Sequence, residues 1–148
     1  MFYEPGANHT LNSKRINGAA LEMIMRDVLH GMHGFTNEVC RGSEMGRMEI
    51  IAVEEASKKL GCWRLTGCHL FVTLEPCLMC AGAIVSARLD SVFYGAIDPK
   101  AGAVESLYEV FSDPRLNHQP YFESGLLQDN CSKIISEFFR QKRLSSKS

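Results

Sequence analysis

The stretch 69-HLFVTLEPCLMCAGAIVSARLDSVFYGA-96 decides the fold of this chain. It opens with a short, nearly continuous apolar run, HLFVTL, which is typical of a strand covered on both faces. The segment CLMCAGAIVSARL is apolar nearly all round and predicts a deeply packed helix, and SVFYGA predicts a second strand. A strand, a helix and a strand with short joints form a βαβ unit, which requires parallel strands and a right-handed crossover.

Helical and strand patterns alternate on both sides of this unit. Upstream, MEIIAVEEASKKLG predicts a helix with Gly61 as its stop. Its buried stripe is expected to hold Ile50, Val53, Ala56 or Ser57, and Leu60. Downstream, we expect a short helix near residues 107–111, a strand in PYFES, and a last helix from about 128 to 143. The fold class is therefore α/β.

The totals favour one soluble globular domain, because the 148 residues are 45% hydrophobic and 22% charged. We expect residues 1–46 to be an irregular or divergent N-terminal part of that domain, residues 47–143 its core, and residues 144–148 a basic tail. No apolar run approaches the ~20 residues that span a bilayer, and the N-terminus lacks the pattern of a secretory signal. A cytoplasmic protein without membrane contact is expected.

Two thiols, Cys77 and Cys80, stand three residues apart where the first strand of the unit ends and its helix begins. Ligands gather at such junctions in α/β sheets, and a helix N-terminus stabilises thiolates. The spacing directs both sulfurs to one side, which suits a tetrahedral zinc ion. A C-x-x-C pair alone is a weak signal, because it also marks thioredoxin-like redox sites.

Glu49 lies in the first turn of the upstream helix, and an acid there often only complements the helix dipole. Together with the thiols, however, it matches the zinc deaminase signature H-x-E…P-C-x-x-C. The segments WRLTGCHLFVTLEPCLMCAGAI, VFYGAIDPKAGAVESL, RLNH and CSKIISEFFRQKR then follow in order. From about Met48 to Arg143, the chain resembles the bacterial tRNA-specific adenosine deaminases.

The resemblance implies a three-layer α/β/α cytidine deaminase-like fold with a mixed central sheet, and a homodimer. It also implies Zn2+-dependent hydrolysis of adenosine to inosine at the wobble position of a tRNA anticodon loop. By the same resemblance, Cys77 and Cys80 hold the metal and Glu49 carries protons, while Phe139 and Arg140 are candidate RNA contacts.

The match fails at Arg47, which stands where the family has its histidine ligand. A guanidinium stays protonated and cannot bind zinc, so weak zinc retention and little deamination are expected. Upstream, Gly34 stands where a nucleobase-contacting Asn is expected.

Three interpretations remain open. In the first, His33, His30 or Cys40 completes the metal site. In the second, the chain is a catalytically inactive deaminase-fold protein that binds tRNA or a partner subunit. In the third, the N-terminal sequence is out of frame relative to an ancestral gene. A thioredoxin-like redox protein is a more distant alternative.

Several further residues have structural explanations. Trp63, Cys62 and Cys68 flank the first strand and are expected to pack, and His69 is expected to be structural because it lies at the strand end opposite Cys77. Asn117 and His118, in RLNH, fit either the family motif or turn hydrogen bonding. Cys131 is expected to fill the core.

Overall fold

The structure is a computed structural model, and it describes residues 2–3 and 48–145. Four strands and three α-helices alternate along this part of the chain. In chain order they are β1 (Phe2–Tyr3), α1 (Met48–Leu60), β2 (His69–Leu74), α2 (Leu78–Ala87), β3 (Ser91–Ala96), β4 (Tyr121–Glu123) and α3 (Gln128–Ser145). A 3-10 turn, Val110–Ser112, stands where the sequence predicted a short helix at 107–111.

The strands form one mixed sheet in the order β1-β2-β3-β4. Strand β1 pairs antiparallel with β2, while β2, β3 and β4 run parallel. In the central pair, His69 lies opposite Ser91 and Leu74 opposite Ala96. The predicted βαβ unit is therefore confirmed, and the carboxyl ends of its strands meet at one edge of the sheet.

Alternate residues of the central strands point into two separate cores. Leu70, Val72, Val92 and Tyr94 pack against α1 and α2 on one face. Phe71 and Phe93 stack on the other face, with ring centroids 4.9 Å apart, and pack against α3 through Cys131 and Ile134. This arrangement confirms the expected three-layer α/β/α fold.

Helix α1 ends as predicted, and its predicted stripe is confirmed at Val53 and Ala56. Gly61 has φ +63, a left-handed conformation that glycine adopts without steric cost. The residues that reach the core are Ala52, Val53 and Ala56. Leu60 is 43% exposed, so its assignment to the buried stripe is wrong.

Strand β3 and helix α3 approach each other closely at Gly95. A Cβ there would overlap the Cys131 side chain and lie 2.9 Å from the Leu126 carbonyl oxygen. Cys131 is fully buried, and burial raises the pKa of its thiol to about 11. The expectation that Cys131 fills the core is confirmed.

Two expectations about packing before β2 are wrong. Trp63 is 58% exposed and Cys62 is exposed, because both precede the continuously buried segment that begins at Cys68. Cys68 and His69 are buried as expected.

The candidate ligands His30, His33 and Cys40, together with Arg47 and Gly34, lie outside the described residues. Within 48–145, no helix has both the length and the apolar character needed to cross a bilayer.

Candidate active site

The thiol pair lies at the carboxyl edge of the sheet, where β2 passes into α2. Cys77 is the N-cap of α2 in an extended conformation, and its carbonyl accepts the N–H of Ala81 at 2.8 Å. Its side chain makes no capping hydrogen bond and is partly exposed, whereas Cys80 is fully buried. Neither cysteine forms a disulfide within the described residues. Pro76 lies just before the N-cap rather than inside the first turn.

Glu49 lies in the first turn of α1. Because α1 leads into β2 through its carboxyl end, its first turn is expected at the carboxyl edge of the sheet. Its positions i+3, i+4 and i+7 are Ala52, Val53 and Ala56, which are the residues that α1 packs into the core. Residues with this spacing share one helix face, so Glu49 continues the inward stripe of α1 toward α2. Its side chain is partly buried, in contrast to the exposed Glu54 and Glu55.

The described residues supply two of the ligands that a zinc site needs. Two thiolates one helical turn apart fit two positions of a tetrahedral ion. Within 48–145, no three His, Cys, Asp or Glu side chains are grouped to hold a metal. A third protein ligand would therefore have to come from outside this part of the chain.

Glu75, which the sequence analysis did not single out, is the most heavily bonded side chain at this edge. It is 2% exposed and directly precedes Pro76. Its carboxylate accepts hydrogen bonds from four backbone N–H groups and one hydroxyl. The donors are the N–H groups of Asp98 (2.9 Å), Val104 (3.0 Å), Glu105 (2.7 Å) and Ser106 (3.0 Å), and the hydroxyl of Ser106.

These hydrogen bonds keep the buried carboxyl ionised. Burial by itself would raise the pKa of Glu75, because a charged group loses hydration. The hydrogen bonds from Glu105, Ser106 and Asp98 outweigh that effect and lower the pKa to about 2. Glu75 is thus a fixed negative charge around which the 98–106 loop folds.

The same loop is tied to the thiol turn by its backbone. Gly102 forms a bridge with Cys77, and the N–H of Ala103 donates to the Pro76 carbonyl at 2.9 Å. A Cβ on Gly102 would overlap the Glu75 carboxylate, so only glycine allows this approach. Tyr94 donates to the Glu105 carboxylate, which fastens the loop to β3 as well.

A thiol pair at a helix start, after a buried strand of an α/β/α sheet, is the part of the zinc deaminase signature that residues 48–145 contain. Residues 11–143 match the MafB19-like deaminase family. The chain belongs to that family.

Relatives with assigned names support the resemblance noted in the sequence. The tRNA-specific adenosine deaminase of Bacillus subtilis (strain 168) is 46% identical over 99 residues, which are 67% of this chain and 62% of the relative. The protein of the same name from Streptococcus pyogenes serotype M1 is 50% identical over 95 residues, which are 64% of this chain and 56% of the relative. The chain thus spans about three fifths of the length of these relatives.

Solved structures agree with the fold. One comes from a study of A-to-I editing by tRNA deaminases at the wobble position of transfer RNA. It has a TM-score of 0.60 and 46% identity, and the match covers 62% of this chain and 67% of that one. Another, a protein bound to 8-azaguanine, has a TM-score of 0.60, 18% identity and coverage of 82% and 84%, and it shows similarity of fold alone.

We expect Glu75→Gln to destabilise the protein by roughly 3 kcal/mol, because an amide cannot replace a carboxylate that accepts bonds at both oxygens. The folded-state pKa of Glu75 is depressed, so its contribution is present above about 4.5 and is lost as pH falls toward about 2. Urea unfolding at several pH values measures this, and the variant should lack that acid-dependent part.

Glu109→Gln, in the same region but exposed, is the matched control and should leave stability within about 0.5 kcal/mol. Gly102→Ala should resemble Glu75→Gln, because the added methyl group displaces the carboxylate. Equal stability of Glu75→Gln and the wild type would contradict the role of the carboxylate.

Proposed function

We propose that this chain is a zinc-dependent hydrolytic deaminase that converts adenosine to inosine at the wobble position of a tRNA anticodon. We further propose that its turnover is reduced because Arg47 replaces the histidine ligand. The proposal is supported by Cys77 and Cys80 at the start of α2, and by the place of Glu49 on the helix face that continues the inward stripe of α1.

In this proposal, Cys77 and Cys80 hold zinc. Cys77 is partly exposed at the N-cap of α2, and Cys80, three residues further along the helix, is buried in the core. The bound metal would lower the pKa of water toward ~7 and so supply hydroxide at neutral pH. The Glu75 anchor acts on this pair by fixing the turn that carries Cys77, which makes Glu75 a positioning residue.

Glu49 carries the protons in the proposed reaction. The oxygen of water becomes bonded to C6 of adenine, and the C6–N bond breaks to release ammonia. The water therefore gives up two protons, one to ring N1 and one to the departing amine. A carboxylate that is not a metal ligand can accept and deliver these protons, and Glu49 lies on the helix face that allows it.

The substrate assignment is supported by the relatives that carry the name tRNA-specific adenosine deaminase. A base must leave its stack to reach such a site, which costs little in an unpaired anticodon loop. On α3, Phe139 is 51% exposed and Arg140 is also exposed, so both are available to RNA.

A second candidate function is RNA binding without turnover, which keeps the fold and the thiols but not the reaction. It is favoured by the guanidinium of Arg47, which stands in the sequence where the family has its histidine ligand. A cation beside a metal ion would oppose metal binding in either case, so inosine formation is what distinguishes the two candidates.

We propose a homodimer through the carboxyl edge. Four apolar side chains around the thiol turn are each about half exposed: Leu78, Ile97, Leu107 and Tyr108. Solvent-exposed apolar groups gathered at one edge favour a partner surface. Sedimentation equilibrium of the full chain should give twice the monomer mass, and Leu107→Asp should lower it. A wild-type monomer at about 50 µM would contradict this.

Zinc content tests the metal site. After dialysis without chelator, the wild type should hold well under one zinc per chain. Cys77→Ser should remove the remainder, because it deletes one of two thiolates. Cys62→Ser, an exposed free thiol, should change nothing. Arg47→His should raise zinc toward one per chain. Tight stoichiometric zinc in the wild type would contradict an impaired site.

Inosine formation on tRNA tests the reaction, in the wild-type and Arg47→His backgrounds. Glu49→Gln should lower the rate by about 10²–10⁴-fold, because the amide cannot carry protons. Glu54→Gln, exposed on the same helix, should have the rate of its background. Full activity in Glu49→Gln would refute its role. Zinc-loaded Arg47→His that binds tRNA and makes no inosine would favour the second candidate.

A further inference from the structure

A polar cleft of about 300 Å³ lies at the sheet edge opposite the thiol pair. It is formed by the segments that lead into β2, β3 and β4. Its lining residues are Arg64, Thr66, Arg88, Asp90, Asn117 and His118. Strand β2 has six residues, so roughly 20 Å separates this cleft from the thiol pair. The cleft is therefore a separate site.

Tertiary hydrogen bonds fix the walls of the cleft. Arg88 caps α2 in the left-handed conformation (φ 61), and its Nη1 donates to Asn117 Oδ1 at 2.6 Å. His118 Nε2 lies 2.6 Å from the carbonyl oxygen of Leu89. The side chains of Asn117 and His118 each bond to a residue 29 positions earlier in the chain, so they do not close a local turn. Hydrogen bonds within the protein therefore hold the walls of the cleft in place.

The two arginines that line the cleft are not neutralised by carboxylates. Within residues 48–145, neither Arg64 nor Arg88 forms an ion pair, whereas Arg115 pairs with Asp113 at 2.6 Å. Arg64 instead lies over the Trp63 ring, 4.9 Å from its centroid. Guanidinium groups with free N–H donors are the preferred partners of phosphate.

Asp90 restricts which anion fits. Its carboxylate lines the cleft and only accepts hydrogen bonds, so it repels a bare phosphate. A nucleotide carries both a phosphate for the arginines and a ribose hydroxyl for Asp90. Trp63, 58% exposed beside Arg64, adds an aromatic surface on which a base can stack.

We propose that this cleft binds the backbone of single-stranded RNA. The phosphate lies between Arg64 and Arg88, the ribose 2′-hydroxyl donates to Asp90, and the neighbouring base stacks on Trp63. Within an RNA strand the 2′-hydroxyl is the free ribose hydroxyl, so the cleft discriminates against DNA. The choice of RNA rests on the proposed function, but the cleft needs no turnover to be tested.

Trp63 makes the test direct, because it is the only tryptophan of the 148 residues. Full-length protein is titrated with a ten-nucleotide single-stranded RNA while Trp63 emission is recorded, and anisotropy of a labelled copy gives Kd. Binding at the cleft should quench the emission with the same midpoint as the anisotropy. Binding without quenching would place the RNA elsewhere and overturn the proposal.

Arg64→Gln is the informative variant, because its guanidinium contacts only the exposed Trp63 ring in the described structure. Loss of one phosphate contact should weaken Kd about fivefold at 0.1 M salt and reduce the salt slope by about 0.7. Arg115→Gln removes the same charge from an arginine already paired with Asp113, and should leave Kd within about twofold. If the two variants weaken Kd equally, RNA binding depends on the overall charge of the protein and not on the cleft, which would refute the proposal.

The ligand class is decided by two further titrations. DNA of the same sequence should bind more weakly than RNA, and Asp90→Asn should narrow that difference. Adenosine monophosphate that quenches Trp63 as tightly as the RNA would show a small-molecule site and contradict the proposal. The two proposals can fail separately. If neither inosine nor zinc is found, the proposed reaction fails. If RNA still quenches Trp63 emission and Arg64→Gln still weakens RNA binding, the RNA cleft is supported all the same.

Discussion

The hydrogen bonds to the buried carboxylate of Glu75 are the interactions on which the thiol edge, the carboxyl edge of the sheet that carries Cys77 and Cys80, depends. Residues 98–106 contain no regular helix or strand. Three of their backbone N–H groups donate to Asp98 within the loop, and others need acceptors from outside it. Four of them converge on this one side chain. An ion stabilised by so many donors favours a single arrangement of the loop, because any other leaves either the charge or the N–H groups unsatisfied.

That anchoring has a consequence for the helix start, because Glu75 and Cys77 are two residues apart. The loop that donates to Glu75 also donates to the Pro76 carbonyl through the N–H of Ala103, and its Gly102 forms a backbone bridge with Cys77. The turn that carries the thiols is therefore held from both sides by backbone contacts. A metal or catalytic site needs this kind of support, since small displacements of a ligand cost much of its effect.

The sequence predicted what depends on neighbouring residues and missed what depends on distant ones. The βαβ unit, the stop at Gly61 and buried Cys131 follow from local pattern, and all are confirmed. The donors of Glu75 lie 23 to 31 residues further along, and only the fold brings them together. Trp63 illustrates the opposite error: its position beside the first strand suggested packing, but it lies before the buried segment that begins at Cys68 and is exposed.

The two edges of the sheet present opposite electrostatic environments. At the carboxyl edge, backbone N–H groups surround an anion. At the other edge Arg64 and Arg88 line the cleft together with Asp90, and neither arginine forms an ion pair within residues 48–145. No residue that lines the cleft belongs to the thiol edge. If the metal site lost a ligand through the change at Arg47, the cleft would keep its charges and hydrogen bonds. The proposed turnover and the proposed RNA binding therefore depend on different residues at opposite edges of one sheet, so loss of the first would leave the second intact.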